Sequence, residues 1–156
     1  MAYNQAGAPR SGGGGRWYNE APTLPEGYLA GGYYRPAAEG GGDELDPRYI
    51  IEYPRKIAQS LYDREMNKST QLRKFFDYCI RLRDIMAYRG QSFSSIRAEL
   101  DRLVPFVEYA QSRKRVSPLF VEFIGKNLQT IQSQRDFYAF LKHFEALIAY
   151  RAGEQK

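Results

Sequence analysis

The sequence predicts an all-α protein, a compact bundle of about five helices preceded by a disordered segment rich in glycine, proline and tyrosine. Two observations carry that prediction. Apolar residues recur at the three-and-four spacing of a helical face from Leu72 onward, and no window alternates like a strand. Eleven of the 14 glycines and five of the eight prolines fall in residues 1–47. A segment of that composition offers too little aliphatic surface to offset the entropy of ordering it. The chain therefore divides into a low-complexity tail over 1–47 and a helical domain over 48–156.

Within the tail, Gly12 to Gly15 precede Arg16 and Trp17 rather than Lys-Ser or Lys-Thr, so they form no phosphate-binding loop. A plain flexible extension is favoured over an arginine-and-tyrosine segment that touches RNA. The first helix is expected over Pro54 to Arg64, since proline is tolerated only near a helix start, with Ile57, Ala58 and Leu61 inward. Asn67 to Thr70 supplies capping side chains for the second helix. Its apolar face is Leu72, Phe75, Phe76, Cys79, Leu82 and Met86, and Gly90 ends it.

Ser92 or Ser94 caps a third helix that buries Ile96, Leu100, Leu103, Val107 and Ala110. Pro105 lies inside that pattern and demands a kink or a break into two pieces. Ser117-Pro118 starts the fourth helix, a capping serine followed by proline at the first helical position. Its inner residues are Leu119, Phe120, Phe123, Ile124, Leu128 and Ile131. Ser133 with Asp136 opens the fifth, which turns Phe137, Phe140, Leu141, Phe144, Leu147 and Ile148 inward.

Charge is distributed unevenly. Residues 1–48 hold four arginines against six acids, net −2, and residues 49–156 hold 19 Lys+Arg against 12 Asp+Glu, net +7. A basic folded part favours a polyanionic partner such as nucleic acid. No run approaches the roughly 20 apolar residues of a membrane span. The N-terminal stretch lacks the apolar centre of a signal peptide, and the single cysteine suits a reducing cytoplasm.

The sequence is short of catalytic groups. One histidine and one cysteine cannot build a Cys/His metal site, and no cofactor motif is present. A Cys79/His143 nucleophile and base is conceivable, but Cys79 sits in a core stripe and His143 at the edge of one, so packing roles are favoured. Asp77 and Asp84 fall on the wet side of the second helix within reach of Arg73 and Arg81, as spaced ion pairs. Arg83 projects within the apolar stripe and must snorkel, pair with an acid or meet a partner. Arg113-Lys114-Arg115 forms a cationic turn with no acid between Glu108 and Glu122, a reasonable seat for phosphates.

Three segments, STQLRKFF (Ser69–Phe76), RLVPFVEYAQSR (Arg102–Arg113) and FYAFLKHFEALIAYR (Phe137–Arg151), occur in an order and at spacings that resemble one family. It is the small subunits of type III-A CRISPR effector complexes, the Csm complexes, and the resemblance covers about residues 49–152. Thr70-Gln71 stands where that family has Ser-Gln, and Glu108-Tyr109-Ala110 where it has Ala-Tyr. The resemblance implies a noncatalytic helical subunit of antiviral defence, present in several copies stacked head-to-tail. Such copies line the channel that holds crRNA paired to target RNA, beside the backbone subunits and under the large subunit. RNA cleavage and cyclic oligoadenylate synthesis then belong to other subunits.

Carried over, the resemblance matches Gln71, Arg73 and Lys74 to the family's opening segment and Arg113 to its later arginine. Arg73, Lys74, Arg113, Lys114 and Arg115 are expected to contact RNA backbone, with Lys68 and Arg81 as outlying members. Glu145 and Tyr150 are expected to order the bundle or a neighbour contact. Two other readings compete: a helical adaptor that binds a protein partner without nucleic acid and seats Arg83 in the interface, and a free-standing single-strand binder. The second is disfavoured because most phenylalanines lie on core stripes.

Overall fold

The computed structural model describes residues 21–154. The expected tail lies partly outside these residues, and its remainder, 21–47, is ordered against the bundle. Strands β1 (Tyr34–Pro36) and β2 (Asp43–Leu45) pair antiparallel, with Tyr34 opposite Leu45 and Pro36 opposite Asp43. The turn between them needs positive φ at three successive positions, 73°, 78° and 93°, and Gly40, Gly41 and Gly42 supply it without a Cβ penalty. The glycines that suggest disorder by composition thus serve a hairpin. This short hairpin is the one departure from an all-helical chain among the described residues.

A 3₁₀ turn over Pro47–Tyr49, capped by the Asp46 carboxylate on the Arg48 amide, leads into α1 (Glu52–Ser60). The helices that follow are α2 (Ser69–Arg89), α3 (Phe93–Asp101), α4 (Leu103–Ser112), α5 (Pro118–Thr130) and α6 (Gln134–Glu154). The expected third helix is the pair α3 and α4. The break falls at Arg102, three residues before Pro105, because a proline ring would strike the carbonyl four residues back. Pro105 is then a first-turn residue of α4, where its missing amide costs nothing. Pro54 occupies the same place in α1, which starts two residues before it and ends at Ser60 rather than Arg64.

Helices α1 and α2 both pack on α6, and α4 packs on α5. The centre is a cluster of rings: Phe144 meets Phe76, Phe140 and Phe123 at centroid distances of 5.5, 5.5 and 5.7 Å. Each fully buried phenylalanine contributes roughly 1.5–3 kcal/mol. Every residue expected on the inner faces of the helices is buried.

Capping follows the sequence at three ends. Ser92 accepts from the Ser95 amide, Gly90 closes α2 at φ 69°, and Ser133 and Asp136 cap α6 through the amides of Asp136 and Gln132. Asn67 behaves differently. It is buried at φ 57°, and Lys68, with no side-chain cap, takes the N-cap position of α2. The Asn67 amide instead donates to the Leu61 carbonyl (3.0 Å) and to Ser117 Oγ (2.9 Å), and accepts from the Ser117 amide (2.9 Å).

A second polar network docks the N-terminal segment. His143 is buried on α6; its Nδ1 donates to the Tyr49 carbonyl (2.7 Å), which leaves Nε2 to accept from Tyr28 Oη (2.5 Å). Asn127 Nδ2 donates to Tyr28 Oη (2.9 Å), and Tyr33 Oη donates to Asn127 Oδ1 (2.6 Å). Tyr28, Leu29 and Tyr33 are consequently core residues.

Candidate nucleic-acid interface

Consecutive helical residues point about 100° apart, and this separates Arg73 from Lys74. Lys74 shares a stripe of α2 with Gln71, Tyr78 and Arg81, facing α3 and α4. Arg73 shares the opposite flank with Asp77 and Ile80, facing α6. Two grooves result, one on each side of α2.

The α2/α4 groove encloses about 340 Å³. Phe75 and Ala110 form its floor, Phe106 and Tyr109 one wall, and Gln71, Lys74, Arg113 and Arg115 its polar rim. Among the described residues no carboxylate lines it. Phe106 is 37% exposed and Tyr109 63%. Their rings are held in place: Tyr78 meets Phe106 edge-on at 5.4 Å while donating its hydroxyl to the Glu99 carbonyl, and Arg113 donates to Tyr109 Oη at 2.9 Å.

Arg115 reaches this groove because of how α4 ends. The Lys114 amide donates to the Gln111 carbonyl and the Arg115 amide to the Ala110 carbonyl, both at 2.9 Å, the paired bonds of a Schellman turn. Lys114 takes the left-handed position that glycine usually fills, at φ 58°. The chain folds back sharply there, placing Arg113 and Arg115 beside Lys74 and leaving Lys114 exposed in the turn, outside the groove.

The seven expected cations therefore do not form one patch. Lys74, Arg113 and Arg115 converge. Arg81 lies farther along the same stripe, its guanidinium 5.6 Å from the Tyr78 ring centre. Lys68 sits exposed in the loop before α2, and Arg73 lines the other groove. Among the described residues none of the seven belongs to an ion pair, whereas Arg35, Arg48, Lys56, Arg83, Arg97, Arg102 and Arg135 all do. The expected pairing of Asp77 and Asp84 with Arg73 and Arg81 does not occur. Asp84 binds Arg83 instead, at 3.2 Å, which also resolves how Arg83 is accommodated at the edge of the apolar stripe.

The α2/α6 groove, about 660 Å³, has a different character. Arg73, Asp77 and Arg83 of α2 and Lys142 and Glu145 of α6 line it, together with Phe76 and Leu141. Mixed charge among apolar side chains suits a protein surface better than a polyphosphate.

Sequence reasoning missed the aromatic wall. Arg102, Phe106, Tyr109 and Arg113 follow a four-three-four spacing beside the core stripe of α4, and that periodicity was the available signal. The catalytic alternative is not assembled. Burial pushes the Cys79 thiol up to about 12, and both His143 nitrogens are engaged by Tyr28 and Tyr49. Among the described residues no group of three or more His, Cys, Asp and Glu could hold a metal ion, and no helix is long and apolar enough to cross a membrane.

No curated protein and no solved structure matches the chain. The sequence model of the family Csm2 Type III-A matches residues 44–155, well over half of the 156 and the whole helical part. With that match spanning the bundle and both of its grooves, the chain belongs to the Csm2 family, the small subunit of the type III-A CRISPR effector complex.

Proposed function

We propose that the chain is a noncatalytic, cytoplasmic small subunit that stacks in several copies along the crRNA–target RNA duplex and meets its backbone through the α2/α4 face. The observation that carries this reading is the convergence of Lys74, Arg113 and Arg115 on one groove where, among the described residues, none of them is ion-paired and no carboxylate lines the surface. Cations left uncompensated in the folded subunit are free to displace counterions from phosphates. Arg81, Lys68 and Lys114 add to the field around the groove without lining it. The mixed-charge α2/α6 groove, with Arg73 and Arg83, faces protein: a neighbouring copy or another subunit of the effector.

The test is RNA binding across a salt series, for a single strand and for its duplex with target. Replacing Lys74, Arg113 and Arg115 by alanine should flatten the logarithmic salt slope by ~0.7–0.9 for each phosphate that is no longer neutralised. Arg73→Ala should leave that slope within error of wild type. Equal slopes in all variants would remove the α2/α4 face as the RNA side. No binding by the wild-type subunit at low salt would favour the adaptor reading instead.

A further inference from the structure

Phosphate contact explains the cations of the α2/α4 groove but not its wall. A phosphate needs positive charge at a surface; it needs neither a recess of about 340 Å³ nor exposed aromatic rings. Scattered exposed aromatics are ordinary. Here, however, Phe106 and Tyr109 lie on one helical stripe, both line the same recess, and each ring is held by a neighbour. Arg102 lies 5.3 Å from the Phe106 ring centre, and Arg113 lies 5.8 Å from that of Tyr109. An aromatic face so fixed loses little freedom when something flat stacks on it. Gln71, on the opposite rim, carries an amide that can donate to and accept from the edge of a base.

We propose that this groove takes one unpaired nucleobase, stacked against Tyr109 and Phe106, with Gln71 at its edge and Lys74, Arg113 and Arg115 on the flanking phosphates. The ligand class is a single-stranded or locally unstacked ribonucleotide. A continuous duplex keeps its bases inside the stack and cannot fill an aromatic recess, whereas a splayed nucleotide presents a π-face of any sequence. The inference rests on the α2/α4 face being the RNA side, and it adds that this side distinguishes an unpaired nucleotide from a paired one. The sequence-level argument that few aromatics remain for bases holds for the core phenylalanines and fails for these two residues of α4.

The test compares, with the full chain, a fluorescein-labelled oligoriboadenylate of about ten nucleotides and the same oligomer carrying abasic positions, which has equal charge. Wild type should bind the intact strand roughly tenfold more tightly at fixed salt. Tyr109→Ala should erase most of that difference while keeping the salt slope, and Tyr109→Phe should retain it. Tyr109 is largely exposed, so its replacement leaves the core intact. Equal affinity for intact and abasic strands, together with a salt slope that Lys74, Arg113 and Arg115 control, overturns the base pocket and leaves the backbone reading standing. A base preference that Tyr109→Ala does not change also overturns it, because the stacking then lies elsewhere. If neither strand binds at low salt, both readings fall. If Tyr109→Ala changes only self-association in sedimentation, the groove is a protein contact.

Discussion

His143 is kept neutral by its burial. Its Nε2 accepts from Tyr28 and its Nδ1 donates to Tyr49; a proton on Nε2 would turn the Tyr28 hydroxyl from donor to acceptor and put a full charge among buried rings. Burial therefore pulls its pKa down to about 4, opposed in small part by the bond to the Tyr49 carbonyl. Unfolded, the same imidazole titrates near 6.5. Between those values the unfolded chain binds the extra proton, so stability is complete above pH 6.5 and falls as the pH drops. The expected loss is about 1.4 kcal/mol per pH unit, approaching roughly 3 kcal/mol near pH 4. Urea midpoints between pH 6.5 and 5 should show this slope in wild type and lose it in His143→Gln, although the variant is less stable throughout. That interval avoids Asp46 and Asp63. The Arg48 side chain and the Glu65 and Met66 amides hold these two carboxyls below the usual range. A slope equal in both proteins would mean that another group titrates. Arg151 is the contrasting buried residue: one guanidinium nitrogen meets the Asp63 carbonyl, at 3.1 Å, while Nε and Nη1 find no hydrogen-bond partner among the described residues, and burial disfavours its charge.

At the scale of elements, helix faces were readable because core packing imposes a period that sequence displays directly. Leu72 to Met86 and Phe137 to Ile148 sit where their spacing puts them. Chain ends were less readable, because a polar side chain that can cap locally can also bond across the fold. Asn67 and Ser117 each carry a capping signature, yet they bond to each other, 50 residues apart in sequence. The candidate site divides the same way. Sequence exposes the basic residues, but only the direction of each side chain around α2 separates Lys74 from Arg73, and only the Schellman turn brings Arg115 back to the groove. The Asn67 bridge is correspondingly important. Asn67→Ala loses three hydrogen bonds, strands the buried Leu61 carbonyl and places alanine at φ 57°. It should cost about 3 kcal/mol in thermal or urea unfolding. Asn67→Gly, which accepts that backbone, should recover about 1 kcal/mol of the loss. Equal stability of the two variants would show that the side-chain bonds alone fix the loop.

For the molecule as a whole, the boundary between segment and bundle lies earlier than composition indicates. Glycine and proline content measures how little aliphatic surface a segment brings, but Tyr28 and Tyr33 each bury a full aromatic ring, and their hydroxyls complete a network that begins on α5 and α6. Without them His143 Nε2 and both polar atoms of the Asn127 amide lose partners, and the rings of Tyr49 and Tyr53 lose the one that Tyr28 lays against them. Two truncations separate the effects: one lacking residues 1–20, the other lacking 1–47. Relative to the first, the second should lose at least about 3–5 kcal/mol, the scale of deleting one buried aromatic. That is a large part of the roughly 5–15 kcal/mol that holds such a domain folded. The loss should leave the α2/α4 groove unaffected wherever the shorter chain still folds, because the docked segment reaches the bundle through α1, α5 and α6, none of which lines that groove. On the proposed function, the salt dependence of RNA binding should then match that of the longer chain. Identical unfolding midpoints would instead mean that 21–47 rests on the bundle without stabilising it. In that case a composition-based boundary at residue 47 would describe the energetics even though it misplaces the contacts.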